Sequence, residues 1–310
     1  MRLTLRNGAN AILNQVQRTI PAYGHEQTSL SAVFGNLALS DGRVEVEVIS
    51  AGGKVSSYAS VVDNRTKDPL LVFPVQGEKV SAQHYVVPGV AELNNGPSSN
   101  FHTDMRLFNA SSTAVPVTLS YFPGFGGARP ADLHITLNPG EVKAFDNVLP
   151  SLWQLTATGG AVAIDAPSNA SLVVTARTFS RNEDGGTFGQ FIPGVTAADG
   201  VGAGERALEV LQLEQSDQYR TNLGLVETTG NPVTVEIVGT TANKITARTE
   251  ATLSPNEFRQ IGLIFQQLGF SGASYQGRVS VRVIGGGGRV AAYGSVVDNK
   301  TIDPTYVPAQ

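Results

Sequence analysis

The clearest pattern along the chain is alternation. In RVEVEV at 43–48, Val44, Val46 and Val48 stand between Arg43, Glu45 and Glu47; in RVSVRV at 278–283, Val279, Val281 and Val283 stand between Arg278, Ser280 and Arg282. A period of two is that of a strand with one apolar and one polar face, so each run predicts a strand packed on one side and wet on the other. Each run leads through a glycine-rich joint, SAGGKV at 50–55 or IGGGGRV at 284–290, into a second apolar run, YASVV at 58–62 or YGSVV at 293–297. The middle of the chain carries a counterpart, AVAIDAPSNASLVVTARTF at 161–179. Glycine supplies the positive φ angles of tight turns, so each pair reads as a hairpin.

Two further features accompany each pair. A turn enters a strand in TIPAYGHEQ at 19–27, TLNPGEVKA at 136–144 and TLSPNEFRQ at 252–260. An apolar knot follows in LSAVFGNLALS, LPSLWQLTATG and IGLIFQQLGFS, placing Phe34, Trp153 and Phe265 in matching positions roughly 115 residues apart, the size of one domain. The knots predict short helical turns that plug one end of each module, with Trp153 in the core. Self-similarity at this spacing predicts an all-β chain of tandem antiparallel immunoglobulin-like β-sandwich modules over 1–76, 77–200 and 201–310, with linkers near 77–100 and 194–206.

The second and third modules share an opening, YVVPGVAEL at 85–93 and FIPGVTAADG at 191–200, that the first lacks. Aligned on the shared features, residue 1 falls near the third strand of a module. About two strands of sequence are therefore expected to be missing, with Met1 the start of an excised piece or of a truncated gene model. The strands beside the gap would keep an open edge, which templates pairing with another chain. Self-association, or a protein partner donating a strand, is accordingly expected through residues 1–76.

With these residues in view, the SVVDNRTKDP and SVVDNKTIDP endings, the VPGV junction at 87–90 and the TNLGL strand at 221–225 resemble the immunoglobulin-like repeat modules of large, mostly uncharacterised bacterial secreted and cell-surface proteins. The resemblance spans nearly the whole chain. It implies export to the cell surface or exterior and a spacer, adhesive or accessory role, with no catalytic residues carried over.

Composition sharpens the exclusions. Net charge is -4, from 22 basic and 26 acidic residues without long blocks of either sign, so no electrostatic footprint for nucleic acid or anionic membrane is visible. No apolar run approaches the roughly 18 to 20 residues needed to span a bilayer, and the N-terminus lacks the pattern of a signal peptide. Without cysteine, disulfides, thiolate zinc sites and cysteine nucleophiles are excluded.

The twin segments YASVVDNRTKDP at 58–69 and YGSVVDNKTIDP at 293–304 are the strongest candidate for chemistry. Asp63, Asn64 and Asp68, with Asp298, Asn299 and Asp303, offer oxygen ligands to calcium, which takes about six to eight. The competing reading is a turn: Asp-Asn opens it through side-chain to backbone hydrogen bonds and Asp-Pro closes it. SRNEDGGTF at 180–188 keeps turn chemistry but loses the spacing, which favours the turn. The segment is then expected to end a strand and steer the chain out of its module, with no cofactor required.

Other templates fail. His25, His84, His102 and His134 lack metal-ligand spacing, and GFSGA at 269–273 has Ala273 where a nucleophile elbow around Ser271 needs glycine. The glycine runs pass into strands and so are not phosphate loops. Glu45 and Glu47 are expected on the solvent side of a strand. For a glycan, the candidates are Tyr121, Phe122 and Phe125 in SYFPGFGGARP, where proline and glycine predict an exposed tip; packing on a neighbouring module is the competing role. The expectation is a non-enzymatic extracellular array acting as spacer, adhesive or assembly unit of a bacterial protein; the alternative is a carbohydrate-binding accessory region of a secreted hydrolase.

Overall fold

Strands form where the sequence alternates. A computed structural model describes residues 1–39, 41–74, 81–94, 96, 100–270, 272 and 275–310, and places 52% of the chain in strands and 6% in helices, an all-β fold of antiparallel sheets. Near the N-terminus, β1 (Arg2–Arg6) lies between β2 (Ile12–Gln17) and β3 (Arg43–Glu47), while β4 (Ala59–Val62) and β5 (Pro69–Val72) form a separate hairpin. Between β2 and β3 runs the short helix α1 (Leu30–Phe34).

The next eight strands are β6 (His84–Asn94), β7 (Asn100–Asn109), β8 (Val115–Pro123), β9 (Leu133–Leu137), β10 (Val142–Phe145), β11 (Thr158–Asp165), β12 (Leu172–Arg181) and β13 (Thr187–Pro193), with α2 (Val148–Trp153) before β11. Pairing runs β6-β11-β8-β9 on one side and β10-β7-β12-β13 on the other, and the end of β6 also pairs with β7. The last eight are β14 (Leu208–Gln215), β15 (Tyr219–Glu227), β16 (Val233–Thr241), β17 (Thr246–Leu253), β18 (Phe258–Ile261), β19 (Tyr275–Gly286), β20 (Val290–Asp298) and β21 (Pro304–Pro308), with α3 (Ile264–Gln267) before β19. They pair as β14-β19-β16-β17 and β18-β15-β20-β21, the same order strand for strand. Inward residues of each facing pair make one core: Val279 and Val281 meet Leu223, Leu225 and Phe265 in the last set, and Leu119 and Val162 share a core with Leu107 and Leu172 in the one before.

Several expectations are corrected. The run pairs are not hairpins: β19 and β20 belong to different sheets, β11 and β12 lie in one eight-stranded sheet with β6 and β7 between them, and β3 does not pair with β4. Both runs of a pair carry an apolar face, and facing one another across the core buries both, which edge-to-edge pairing in one sheet would not. The glycine joint is a crossover. Residues 84–94 of the supposed linker at 77–100 form β6, whose Val86, Val87 and Val90 are buried. The knots do become helices, but α2 and α3 both start after a left-handed residue, Asn147 or Leu263, which matches Phe265 with Leu149 rather than with Trp153. Trp153 lies four residues further on, half-buried against Tyr121 with ring centroids 5.8 Å apart. In β3 the packing is the reverse of the expected one: Val44 and Val46 are exposed, whereas Arg43 and Glu45 are half-buried. Arg43 donates to the Gly140 carbonyl at 2.9 Å and covers the Phe108 ring, so the polar face meets the second strand set. No helix among the described residues is long and apolar enough to cross a membrane.

The crossover makes a testable demand. Gly286 has φ 87° and any Cβ there would strike the Pro232 carbonyl oxygen, whereas Gly287 faces open space. Gly286→Ala should cost at least about 1 kcal/mol in chemical denaturation and Gly287→Ala almost nothing. Equal effects would contradict the crossover geometry.

Candidate functional site

The twin segments fold as the same self-contained turn. Asp63 Oδ1 accepts from the amides of Arg65 (2.7 Å) and Thr66 (3.0 Å); Asp298 Oδ1 accepts from Lys300 (2.7 Å) and Thr301 (2.9 Å). The main chain closes each loop in the same way, Asp63 N–H to Asp68 C=O and Asp298 N–H to Asp303 C=O, both at 2.9 Å. Lys67 and Ile302 take the left-handed conformation at corresponding places. The loop does not lead the chain out of its strand set, as expected from sequence, but turns it back: β4 into β5 and β20 into β21. Asn182 and Gly185 build a shorter version between β12 and β13.

What differs between the copies is where the remaining acceptors go. Asp63 Oδ2 accepts from the Thr187 amide (3.0 Å) and hydroxyl (2.7 Å) on β13, and Asp68 accepts from the Gly189 amide (3.0 Å) two residues on. The first turn is thereby clamped to the second strand set. In the other copy Asn299 takes a hydrogen bond from Arg220 (2.8 Å) and gives one to the Asp217 carbonyl (3.1 Å). Ser295 on β20 donates to Gln190 on β13 at 3.1 Å. All three strand sets thus converge on β13.

Arg177 on β12 sits at this junction. It donates to the Thr187 hydroxyl at 2.7 Å, lies against the Phe179 ring, and its Nε is buried without a partner. The carboxylates around it are held in different states. The Thr187 hydroxyl and then the Thr66 and Arg65 amides hold Asp63 well below the usual carboxylate range. Burial pushes Asp68 up, and burial followed by the repulsion of Asp68 and Asp298 pushes Asp303 up to about 7, against the pull of Arg177. The junction therefore favours the neutral carboxyl of Asp303 over the range in which an ordinary aspartate is ionised. Both Asp63 oxygens and Asp298 Oδ1 are taken by donors of the fold, and among the described residues no group of three or more His, Asp or Glu is placed together as metal ligands.

No family model matches the chain, and no curated protein does. A crystal structure of Thermotoga maritima 1070 aligns with 36% of this chain and 93% of its own, at 10% identity and a TM-score of 0.28, a likeness that carries no argument.

The aromatic candidates separate. Tyr121 is 1% exposed, a core residue bonded to the Thr158 hydroxyl, because it continues the inward parity of Val117 and Leu119 along β8. It is not a surface residue, which corrects the expectation. Phe122 is half-covered by the Arg129 guanidinium at 4.5 Å, and Phe125 is left exposed at 64%. Ser271 and Ala273 lie outside the described residues. Glu45 is not a free solvent carboxylate but bonds Arg6 and Arg43. His84 reaches Asp165 at 2.7 Å and Asn256 of the third set at 2.9 Å, and the Asp165 contact raises its pKa. Arg177, Thr187 and Gln190 escaped sequence reading; each lies in an ordinary alternating strand, and nothing local names its partner.

The pH dependence follows from the signs. Below about pH 4 Asp303 is protonated folded or unfolded; between about 4 and 7 only the unfolded chain releases the proton, so stability falls as pH rises and the loss is complete above about 7. Asp63 acts oppositely: its contribution is present above about pH 4 and lost as pH falls. Asp303→Asn should flatten the decline of the thermal midpoint between pH 4 and 7 and exceed the parent at pH 8. An unchanged slope would show that Asp303 titrates normally.

Proposed function

We propose that the chain is a non-enzymatic array of tandem immunoglobulin-like sandwich modules, over 1–76, 77–200 and 201–310, acting outside a bacterial cell as a spacer, adhesive or assembly unit. The observation that carries this reading is the joint between the second and third strand sets. Val86, Ala161 and Val195 pack with Val226, Phe258, Ala291 and Tyr293 in one buried cluster. Joints between independently moving domains are usually polar, and a dry, close-packed one holds neighbours at a fixed angle. Gly89 and Gly224 permit it, since a Cβ at either would strike Tyr293. A fixed angle is what a load-bearing or presenting array requires. The side chains with chemical potential support the same reading by being spent on structure: Asp63 in a clamp, His84 in a bridge, Tyr121 in a core. The bacterial and extracellular parts of the proposal rest on the resemblance of the twin segments to surface modules.

Phe258→Ala should release the joint at a cost of about 3 kcal/mol and split a single calorimetric transition in two. Nuclear spin relaxation should give one tumbling time for residues 84–193 and 208–308 in the parent chain. Independent tumbling in the parent would sink the fixed-array reading. Glycan binding that Phe125→Ala abolishes would favour the accessory region of a hydrolase instead.

A further inference from the structure

Residues 43–63 and 278–298 are near twins in sequence but not in surroundings. Val44, Val46, Tyr58 and Val62 are 38%, 40%, 45% and 47% exposed, whereas Val279, Val281, Tyr293 and Val297 are 0%, 0%, 3% and 2%. Their sheet partners correspond: Leu3 stands opposite Val46 and Leu5 opposite Val44, as Ile237 stands opposite Val281 and Gly239 opposite Val279. Even the cross-strand ion pair recurs with its charges exchanged, Arg2 to Glu47 and Glu236 to Arg282. What covers the second copy is known. β14 adds to the free edge of β19, β15 adds to that of β20, and α3 packs against β15. In the first copy no described strand pairs with β3 beyond β1, or with β4 beyond β5. Beneath α1 lies an open hollow of about 340 Å3 lined by Leu5, Leu30, Phe34, Leu37 and Leu39.

We infer that this face is the acceptor for an antiparallel strand pair, patterned like β14–β15, from a partner polypeptide. The covered twin specifies the chemistry. One strand adds to β3 with apolar residues facing the core at the positions where Leu208 and Val210 oppose Val281 and Val279. The other adds to β4 with glycine opposite Tyr58, as Gly224 opposes Tyr293, flanked by apolar residues like Leu223 and Leu225. Main-chain bonds to the open edges give affinity, and the alternating side chains give specificity. A second copy of this chain cannot supply the pair: its β14 and β15 are buried in their own core, and its first strand set has the same open face. The inference rests on the modular reading above.

The test uses the full chain with residues 206–234 joined ahead of Met1, since Met1 takes the place of Val235 in the corresponding register. Amide exchange at 43–47 and 59–62 should slow at least about tenfold, and a separate peptide of residues 206–229 in excess should do the same at 1:1 stoichiometry. Val46→Asp should abolish both effects while β19 and β20 stay protected. Unchanged exchange in the joined chain overturns the inference, whatever the peptide does. So does a parent chain that scatters light as a dimer with 43–47 already protected, because a second copy then covers the face. Independent tumbling of the strand sets would sink the array reading alone and leave this exchange readout interpretable.

Discussion

Covering one alternating strand is the constraint from which most of the structure follows. β19 turns Val279, Val281 and Val283 to a single side, and leaving them wet forfeits about 1.5 to 3 kcal/mol each. One strand cannot hide a row of side chains along its length, so the cover must be a second sheet. That requirement forces the chain to leave the sheet after β19 and begin β20 opposite, through a joint tight enough to need Gly286. The helix before β19 closes the end of the same core with Phe265. β11, its neighbours and α2 repeat the solution, whereas in β3 Val44 and Val46 stay exposed.

The twin turns show how local and tertiary demands are divided within one motif. The first aspartate of each turn satisfies its own loop amides with one oxygen, so the hairpin is complete without outside help. Only the second oxygen adapts, and in Asp63 it clamps Thr187 through hydrogen bonds to a charged group, worth about 1.5 to 3 kcal/mol each. The second aspartate enters the turn through its main chain, its carbonyl closing the loop and its amide donating to the threonine hydroxyl. Closing two such turns on the same strand brings Asp68 and Asp303 toward each other in partly dry surroundings, a cost that Arg177 offsets only in part. The raised Asp303 is a consequence of geometry the turns impose.

How much of this was legible depends on whether a feature is local. Alternation located β3 and β19 and the paired runs located β4, β11, β12 and β20, the apolar knots located α1, α2 and α3, and Asp-Asn with Asp-Pro located the twin turns, because each signal lies within a few residues. Period two also held the answer for Tyr121: it shares the parity of Val117 and Leu119, and proline and glycine nearby drew attention away from it. Partner identity was not legible. The same alternation suits a hairpin arm and a strand that crosses to the facing sheet, so β19 and β20 were joined wrongly. Arg177 gives no sign in sequence of the carboxylates around it, because Asp63, Asp68 and Asp303 lie more than a hundred positions away and Asp104 comes from another strand, β7.

The two joints of the chain differ in kind, and the difference bears on which part can move. The third strand set meets the second mainly through Val86, Val195, Phe258 and Tyr293, contacts that salt hardly screens and that do not titrate in the physiological range. The first meets it through Arg43, Arg106 with Asp41 at 2.6 Å, and the Asp63 clamp, each a charged group, several of them partly exposed. Salt weakens interactions between exposed charges, partly buried pairs less so, while the apolar joint is indifferent to it. The element with the uncovered face is therefore also the one held by adjustable contacts. β3 and β4 reach the second strand set by separate contacts, Arg43 to the Gly140 carbonyl just before β10 and Asp63 to Thr187 on β13, so neither attachment depends on the other.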